Sequence, residues 1–208
     1  MEKFEQILKD VENYYSDKIT HYGPTPRGVD WSTEESQKLR FSQFLSLIKE
    51  NQNFSINDLG CGYGAYGNFL KSITPNFRYF GADISKEMLN AASEHFASDA
   101  RFNWIQDPLC LPVSNYTIAS GIFNVKLSHN EIQWTEYVFN TIELMNEKSQ
   151  NGFAFNMLTS YSDTSKMRPD LFYADPCLYF DWCKKHYSKN VALLHDYNLF
   201  EFTLIVRK

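Results

Sequence analysis

Eight residues carry the clearest chemical signal: Asn57-Asp58-Leu59-Gly60-Cys61-Gly62-Tyr63-Gly64. Three glycines at alternate positions let a backbone turn sharply and let a ligand approach it closely. The stretch follows a short apolar run and precedes a helical pattern, so a ligand there would also meet the free N–H groups of a helix N-terminus. Gly62-x-Gly64-x-x-Gly67 fits the dinucleotide pattern as well. Asp58 weighs against that reading. A carboxylate at the mouth of the loop repels a pyrophosphate and suits a ligand with an ammonium group and no phosphate. S-adenosylmethionine, with an amino-acid end, a sulfonium, a ribose and an adenine, is such a ligand.

Two further acids lie in register. Asp83 stands 21 residues beyond Gly62, about the spacing at which an acid hydrogen-bonds ribose hydroxyls. It supports an adenosine without separating the two cofactors. Asp107, in Gln106-Asp107-Pro108, can accept from an exocyclic adenine amine. Asp83 also reads as a helix cap, although Ser85 is the better cap, and Asp107 also reads as a solvated loop acid. His129 and His195 are candidate general bases by residue type; each also reads as a structural or surface histidine, so they stand as candidates rather than assignments. His21, His95 and His186 read as surface residues.

These residues must be positioned by the elements around them. Apolar residues Phe4, Ile7, Leu8, Val11, Tyr14 and Tyr15 form one stripe of a helix over residues 2–15. Ser32 three before Glu35 suggests a capping box opening a second helix that runs to about Glu50. From residue 53, short apolar runs alternate with helical stretches. Strands are expected at 54–58, 77–83, 101–106, 116–123 and 152–156, and helices at 65–72, 86–97 and 131–147. That alternation predicts βαβ units on a parallel sheet. Residues 158–173 read as a loop over the sheet edge, 175–187 as a helix opened by Asp175-Pro176, and 191–197 with 200–207 as an antiparallel hairpin.

Asp-Leu-Gly-Cys-Gly-Tyr-Gly at 58–64 resembles motif I of class I S-adenosylmethionine-dependent methyltransferases. Gly81-Ala-Asp83-Ile-Ser resembles their ribose-binding strand end, and Gln106-Asp107 followed by Leu111-Pro112 their adenine loop. The resemblance covers about residues 54–157 and the terminal hairpin. It implies an α/β, Rossmann-like, mostly parallel seven-stranded sheet with helices on both faces. It implies one domain over 1–208, with a helical cap at 1–52, a cofactor core at 53–157, and a lid and hairpin at 158–208. By position, Asp58, Gly60, Cys61, Gly62 and Gly64 would hold the amino-acid end, Asp83 the ribose, Ile84 the adenine face, Gln106 and Asp107 the adenine edge. Phe123 and Asn124 would lie near the methyl group. The cofactor would be S-adenosyl-L-methionine, leaving as S-adenosyl-L-homocysteine.

Arg27, Trp31 and Arg40 before the motif are expected on the acceptor, together with Lys126, Tyr161, Arg168 and Tyr197. Arg27 or Arg40 would pair with the cofactor carboxylate or an anionic acceptor. The aromatics after residue 153 read either as core packing or as a stacking wall for a sugar. The chain carries 20 Lys+Arg against 25 Asp+Glu, a formal charge of −5, which weighs against a broad grip on nucleic acid or anionic lipid. Four cysteines, Cys61, Cys110, Cys177 and Cys183, have no metal or redox spacing and read as reduced thiols of a cytoplasmic protein. The opening Met-Glu-Lys-Phe-Glu-Gln lacks the layout of a secretory signal. No Asp/Asn-Pro-Pro-Tyr/Phe follows the fourth strand, which argues against amino-methylating DNA enzymes, and no metal is expected. The reading is a bacterial methyltransferase acting on O or N of a small polar acceptor, such as a sugar or surface-polysaccharide precursor. Protein or RNA methylation, or a cofactor-binding protein without activity, stay open; Asp58 argues against an NAD-dependent oxidoreductase.

Overall fold

The computed structural model describes residues 4–48 and 53–208. Helix α1 (Glu5–Tyr22) runs two turns past the apolar stripe that signalled it, ending at Gly23. A 3₁₀ turn (Pro26–Val29) follows. Helix α2 (Glu34–Phe44) is capped one residue later than the spacing suggested: Thr33, not Ser32, accepts from Ser36 N. Thr33 holds the extended backbone that an N-cap requires. The helix ends at Phe44 and passes into a 3₁₀ turn (Leu45–Leu47) that Ile48 leaves in extended conformation, short of the expected end near Glu50, which itself lies outside the described residues.

The core then runs β1 (Phe54–Leu59), α3 (Ala65–Ile73), β2 (Phe77–Ala82), α4 (Lys86–His95), β3 (Phe102–Ile105), β4 (Ser114–Ala119), α5 (Glu131–Glu147), β5 (Ser149–Leu158), α6 (Pro176–His186), β6 (Asn190–Leu194) and β7 (Glu201–Arg207), strands alternating with helices except between β3 and β4 and between β6 and β7. The seven strands lie in the order β3-β2-β1-β4-β5-β7-β6. The first five are parallel; β7 runs antiparallel to both β5 and β6. Order reverses at β1, where the chain crosses from β3 to β4, so the crevice beyond the C-terminal ends of β1 and β4 is the ligand position of such a sheet.

Alternation along the strands gives two apolar cores, one on each face. Phe153, Phe155 and Met157 of β5 join α5 and α6, whereas Ala154 between them joins the core beneath α2 and α3. The late aromatics Phe153, Phe155 and Tyr179 are fully buried in this packing, so they are core and not a stacking wall. Trp134 of α5 is also fully buried, and its Nε1 donates to the Phe123 carbonyl at 2.9 Å. Trp134→Phe is expected to lower unfolding stability by about 2 kcal/mol, from a lost buried hydrogen bond and lost volume; urea titration measures it.

The expected fourth strand overshoots. It stops at Ala119, and Gly121 (φ 79°) turns the chain away. The segment expected as a loop at 158–173 doubles back on the residues after β4: Leu127 N donates to Asp170 O and Phe172 N to Asn124 O. All four cysteines are free thiols, and no helix among the described residues is long and apolar enough to cross a membrane.

Candidate active site

A cavity of about 330 Å³ opens over the C-terminal ends of β1, β2 and β4. Its floor is Asp58, Leu59, Gly60, Cys61 and Gly62, with Asp83 and Ile84 on one side and Ser120, Gly121 and Ile122 on the other. The floor turns tightly. Gly60 has φ 72°, and a Cβ there would lie 2.1 Å from Ile122 Cγ2, so only glycine fits. Gly64, expected with this group, caps α3 and packs against Phe96 and Trp104 away from the cavity.

Asp58 closes β1. It is 2% exposed, and Tyr79 OH from the neighbouring β2 donates to its Oδ2. Burial pushes the Asp58 carboxyl up to about 7, opposed by the Tyr79 hydrogen bond and reinforced by the nearby Asp83 charge. Asp83, just beyond β2, binds the loop from the other side: Gly62 N donates to Oδ2 at 2.8 Å and Ser85 N to Oδ1 at 2.9 Å. Burial pushes it up to about 6, against the pull of those two N–H groups. Ser85 is the α4 cap, accepting from Met88 N, so Asp83 is left for the cleft. Two hydroxyls on the cleft wall, Tyr66 OH and Ser120 Oγ, are buried without a partner. A native protein rarely leaves such groups unpaired.

The roof is α1. Phe4, Leu8, Val11 and Tyr15 turn one stripe into the cavity. Polar contacts hold it there: Ser16 Oγ lies 2.9 Å from Ser85 Oγ and donates to Glu87 at 2.8 Å, and Asp10 lies 3.1 Å from His129 Nε2. Trp31, Gln37 and Phe41 add further wall, with Gln37 hydrogen-bonded to Tyr63, and α5 lines the cavity as well through Tyr137, Asn140, Thr141 and Leu144. Tyr66 and Ser120 were not singled out in the sequence; Tyr15 was read only as part of the apolar stripe, and Gln37 only as a neighbour of Trp31 and Arg40. Gln37 and Tyr66 carry a weak signal, polar atoms on otherwise apolar helix faces; Ser120 carries none.

Several expected residues lie elsewhere. His129 faces α1 and stacks beside Trp134, outside the cavity wall. His195 is exposed beyond β6, against Tyr161 and Phe202. It is four strands from β1, roughly 19 Å at about 4.8 Å per strand. Neither is a base for a group in this cavity. His195→Ala is expected to leave cofactor affinity and turnover within twofold, read by calorimetry and a methyl-transfer assay.

Phe123 and Asn124 sit in the core, Asn124 accepting from Leu158 N; the turn at Gly121 leaves Ser120–Ile122 as the wall instead. Gln106 and Asp107 are exposed, and Asp107 caps a 3₁₀ turn by accepting from Leu109 N. Pro108 and Leu109 reach the cavity in their place. Of the expected acceptor residues only Trp31 lines the wall. Arg40 is bound to Glu201, Lys126 to the Pro169 carbonyl, Arg168 to Asp170, and Tyr197 to Thr203. Arg27 and Tyr161 are exposed outside the cavity. None of these side chains lines the cavity.

A family model described as a methyltransferase domain matches residues 56–146. A Mycobacterium tuberculosis protein, named "Putative methyltransferase Rv1506c", is 48% identical over 164 residues, covering 79% of this chain and 99% of that protein. Among solved structures, magnesium protoporphyrin IX methyltransferase from Synechocystis PCC 6803 with bound SAH superposes with a TM-score of 0.67 at 14% identity, covering 96% of this chain and 99% of that one. The DhpI–SAH complex does so with 0.64 at 10% identity, covering 96% and 95%. At these identities the two structures establish a shared fold.

Proposed function

Since the chain belongs to the class I S-adenosylmethionine-dependent methyltransferase family, we propose that it moves the methyl group of S-adenosylmethionine to an oxygen or nitrogen of a small acceptor. The observation that carries this reading is the pair of acids, buried Asp58 and half-buried Asp83, at the ends of adjacent strands on either side of the glycine turn. The two unpartnered hydroxyls on the same wall support it, since a polar ligand would satisfy them. When bound, the cofactor supplies an electrophilic methyl on a positively charged sulfur.

The chain's residues do the rest. Asp58 is the carboxylate for the ammonium end. Asp83 retains lone pairs for the ribose hydroxyls beyond the two N–H groups it already accepts. Ile84, Leu109 and the α1 stripe exclude water from the adenine end. Ser120–Ile122 and Trp31 bound the acceptor side. No histidine among the described residues lines the cavity, so the chain contributes positioning rather than proton abstraction by imidazole. Orientation alone supplies up to roughly 7–11 kcal/mol of a bimolecular barrier.

The acceptor is read as a small molecule because the cleft is roofed by α1 and the chain is acidic. None of the aromatics after residue 153 lines the cavity, so they supply no stacking wall for a sugar there. Thermal shift with S-adenosylmethionine, S-adenosylhomocysteine and NAD tests the reading. A ligand at 100 times its dissociation constant adds about 2.7 kcal/mol, or roughly 5–10 °C here. Shifts with the two sulfur nucleosides alone are expected; a shift with NAD alone overturns the role given to Asp58.

A further inference from the structure

Five residues close a circuit behind the acceptor wall. Gly121 N donates to Asn156 Oδ1 at 2.7 Å. Asn156 Nδ2 donates to Glu201 Oε2 at 3.3 Å. Glu201 takes both Nε and Nη2 of Arg40, at 2.8 and 2.6 Å. The Arg40 guanidinium lies 4.0 Å from the centre of the Trp31 ring. The indole then returns to its start: a Cβ on Gly121 would be 2.4 Å from Trp31 Cζ2.

The ring joins α2, β5, β7, the turn after β4 and the loop before α2. Arg40 is 8% exposed, Glu201 2% and Asn156 0%. Trp31 and Gly121 line the cavity, while the three polar residues stand behind them. A buried ion pair is a poor source of stability, because desolvating both charges offsets their attraction. What it does supply is fixed geometry: a forked guanidinium held by a carboxylate presents one flat face in one place. That face is where the indole rests.

We propose that Arg40, Glu201 and Asn156 are positioning residues that hold Trp31 against Gly121, so that Trp31 sets the size of the group admitted on the acceptor side of the cofactor sulfur. The proposal rests on the methyltransferase reading. No acceptor is needed to test it, because the substituent on the cofactor sulfur itself probes that space. Calorimetric affinities are compared for S-adenosylhomocysteine, S-adenosylmethionine and the S-adenosyl analogue carrying allyl in place of methyl.

The natural protein is expected to bind the allyl analogue at least tenfold more weakly than S-adenosylmethionine. Glu201→Gln is expected to cut that penalty below threefold while affinity for S-adenosylhomocysteine stays within threefold. Acrylamide quenching of Trp31, isolated as the difference from Trp31→Phe, is expected to rise in Glu201→Gln. Trp31→Ala removes the wall while keeping both partners of the Arg40–Glu201 pair, and decides the matter if Glu201→Gln does not fold. An unchanged penalty in either variant, or no penalty in the natural protein, overturns the proposal. Failure of the natural protein to bind either sulfur nucleoside overturns the methyltransferase reading instead.

Discussion

Asp83→Ala is expected to weaken S-adenosylhomocysteine binding by about 10²–10⁴-fold. The side chain stands at the end of β2 with one backbone N–H on each oxygen, which leaves acceptor capacity for two ribose hydroxyls. A hydrogen bond to a charged group contributes about 1.5–3 kcal/mol, so losing two gives that range. The truncation also frees Gly62 N, which Asp83 holds at 2.8 Å, so the glycine turn loosens and the loss falls at the upper end. Calorimetry on variant protein with an unchanged circular dichroism spectrum measures it. A loss below threefold would remove Asp83 from the site.

Asp58→Asn is expected to separate binding from stability. It should lower affinity for S-adenosylhomocysteine at least a hundredfold at pH 8, because the ammonium end loses its carboxylate. It should not destabilise the free protein. Asp58 is buried, and its carboxyl is pushed up to about 7, against about 3.9 in an unfolded chain. The folded protein therefore binds the extra proton between those values, and stability falls as pH rises from about 4 to about 7. Above pH 7 the full destabilisation is present. Asparagine is neutral and still accepts from Tyr79 OH, so the variant's melting temperature at pH 8 is expected to equal or exceed that of the natural protein.

The same carboxyl gives binding a pH dependence. An ammonium group pairs with the ionised form, so affinity should fall below pH 7, approaching tenfold per unit, the limit for one proton. Asp83, held up to about 6, steepens the fall below that value. In Asp58→Asn only the lower break should remain. Affinities flat between pH 6 and 8 in the natural protein would exclude Asp58 from contact with the ligand's charge.

The strand–helix alternation, the glycine turn and the acid after β2 were legible because each is local. A period of two or of 3.6 shows within a dozen residues, and Asp58 to Gly64 span only the end of β1 and the turn after it. Even the terminal hairpin was visible, since β6 and β7 are separated by six residues. Boundaries failed where a neighbour in space decided them. The fourth strand ends early because Gly121 turns to meet Trp31 and Asn156, far away in the chain.

Residue roles failed for the same reason. Arg40 looked free for an anion until packing placed Glu201, 161 positions later, on its fork. His129 looked available as a base, yet packing sets it against α1 and Trp134, outside the cavity. Gln106 and Asp107 have the right spacing, yet the 3₁₀ turn that Asp107 caps turns Pro108 and Leu109 inward instead. The sequence by itself pointed to the class of ligand and the element proposed to carry it, because the acids and glycines assigned to it lie at the ends of consecutive strands. The tertiary structure alone decided which charges remain free, what roofs the cleft and how wide its acceptor side is, because those depend on partners that only packing brings into contact.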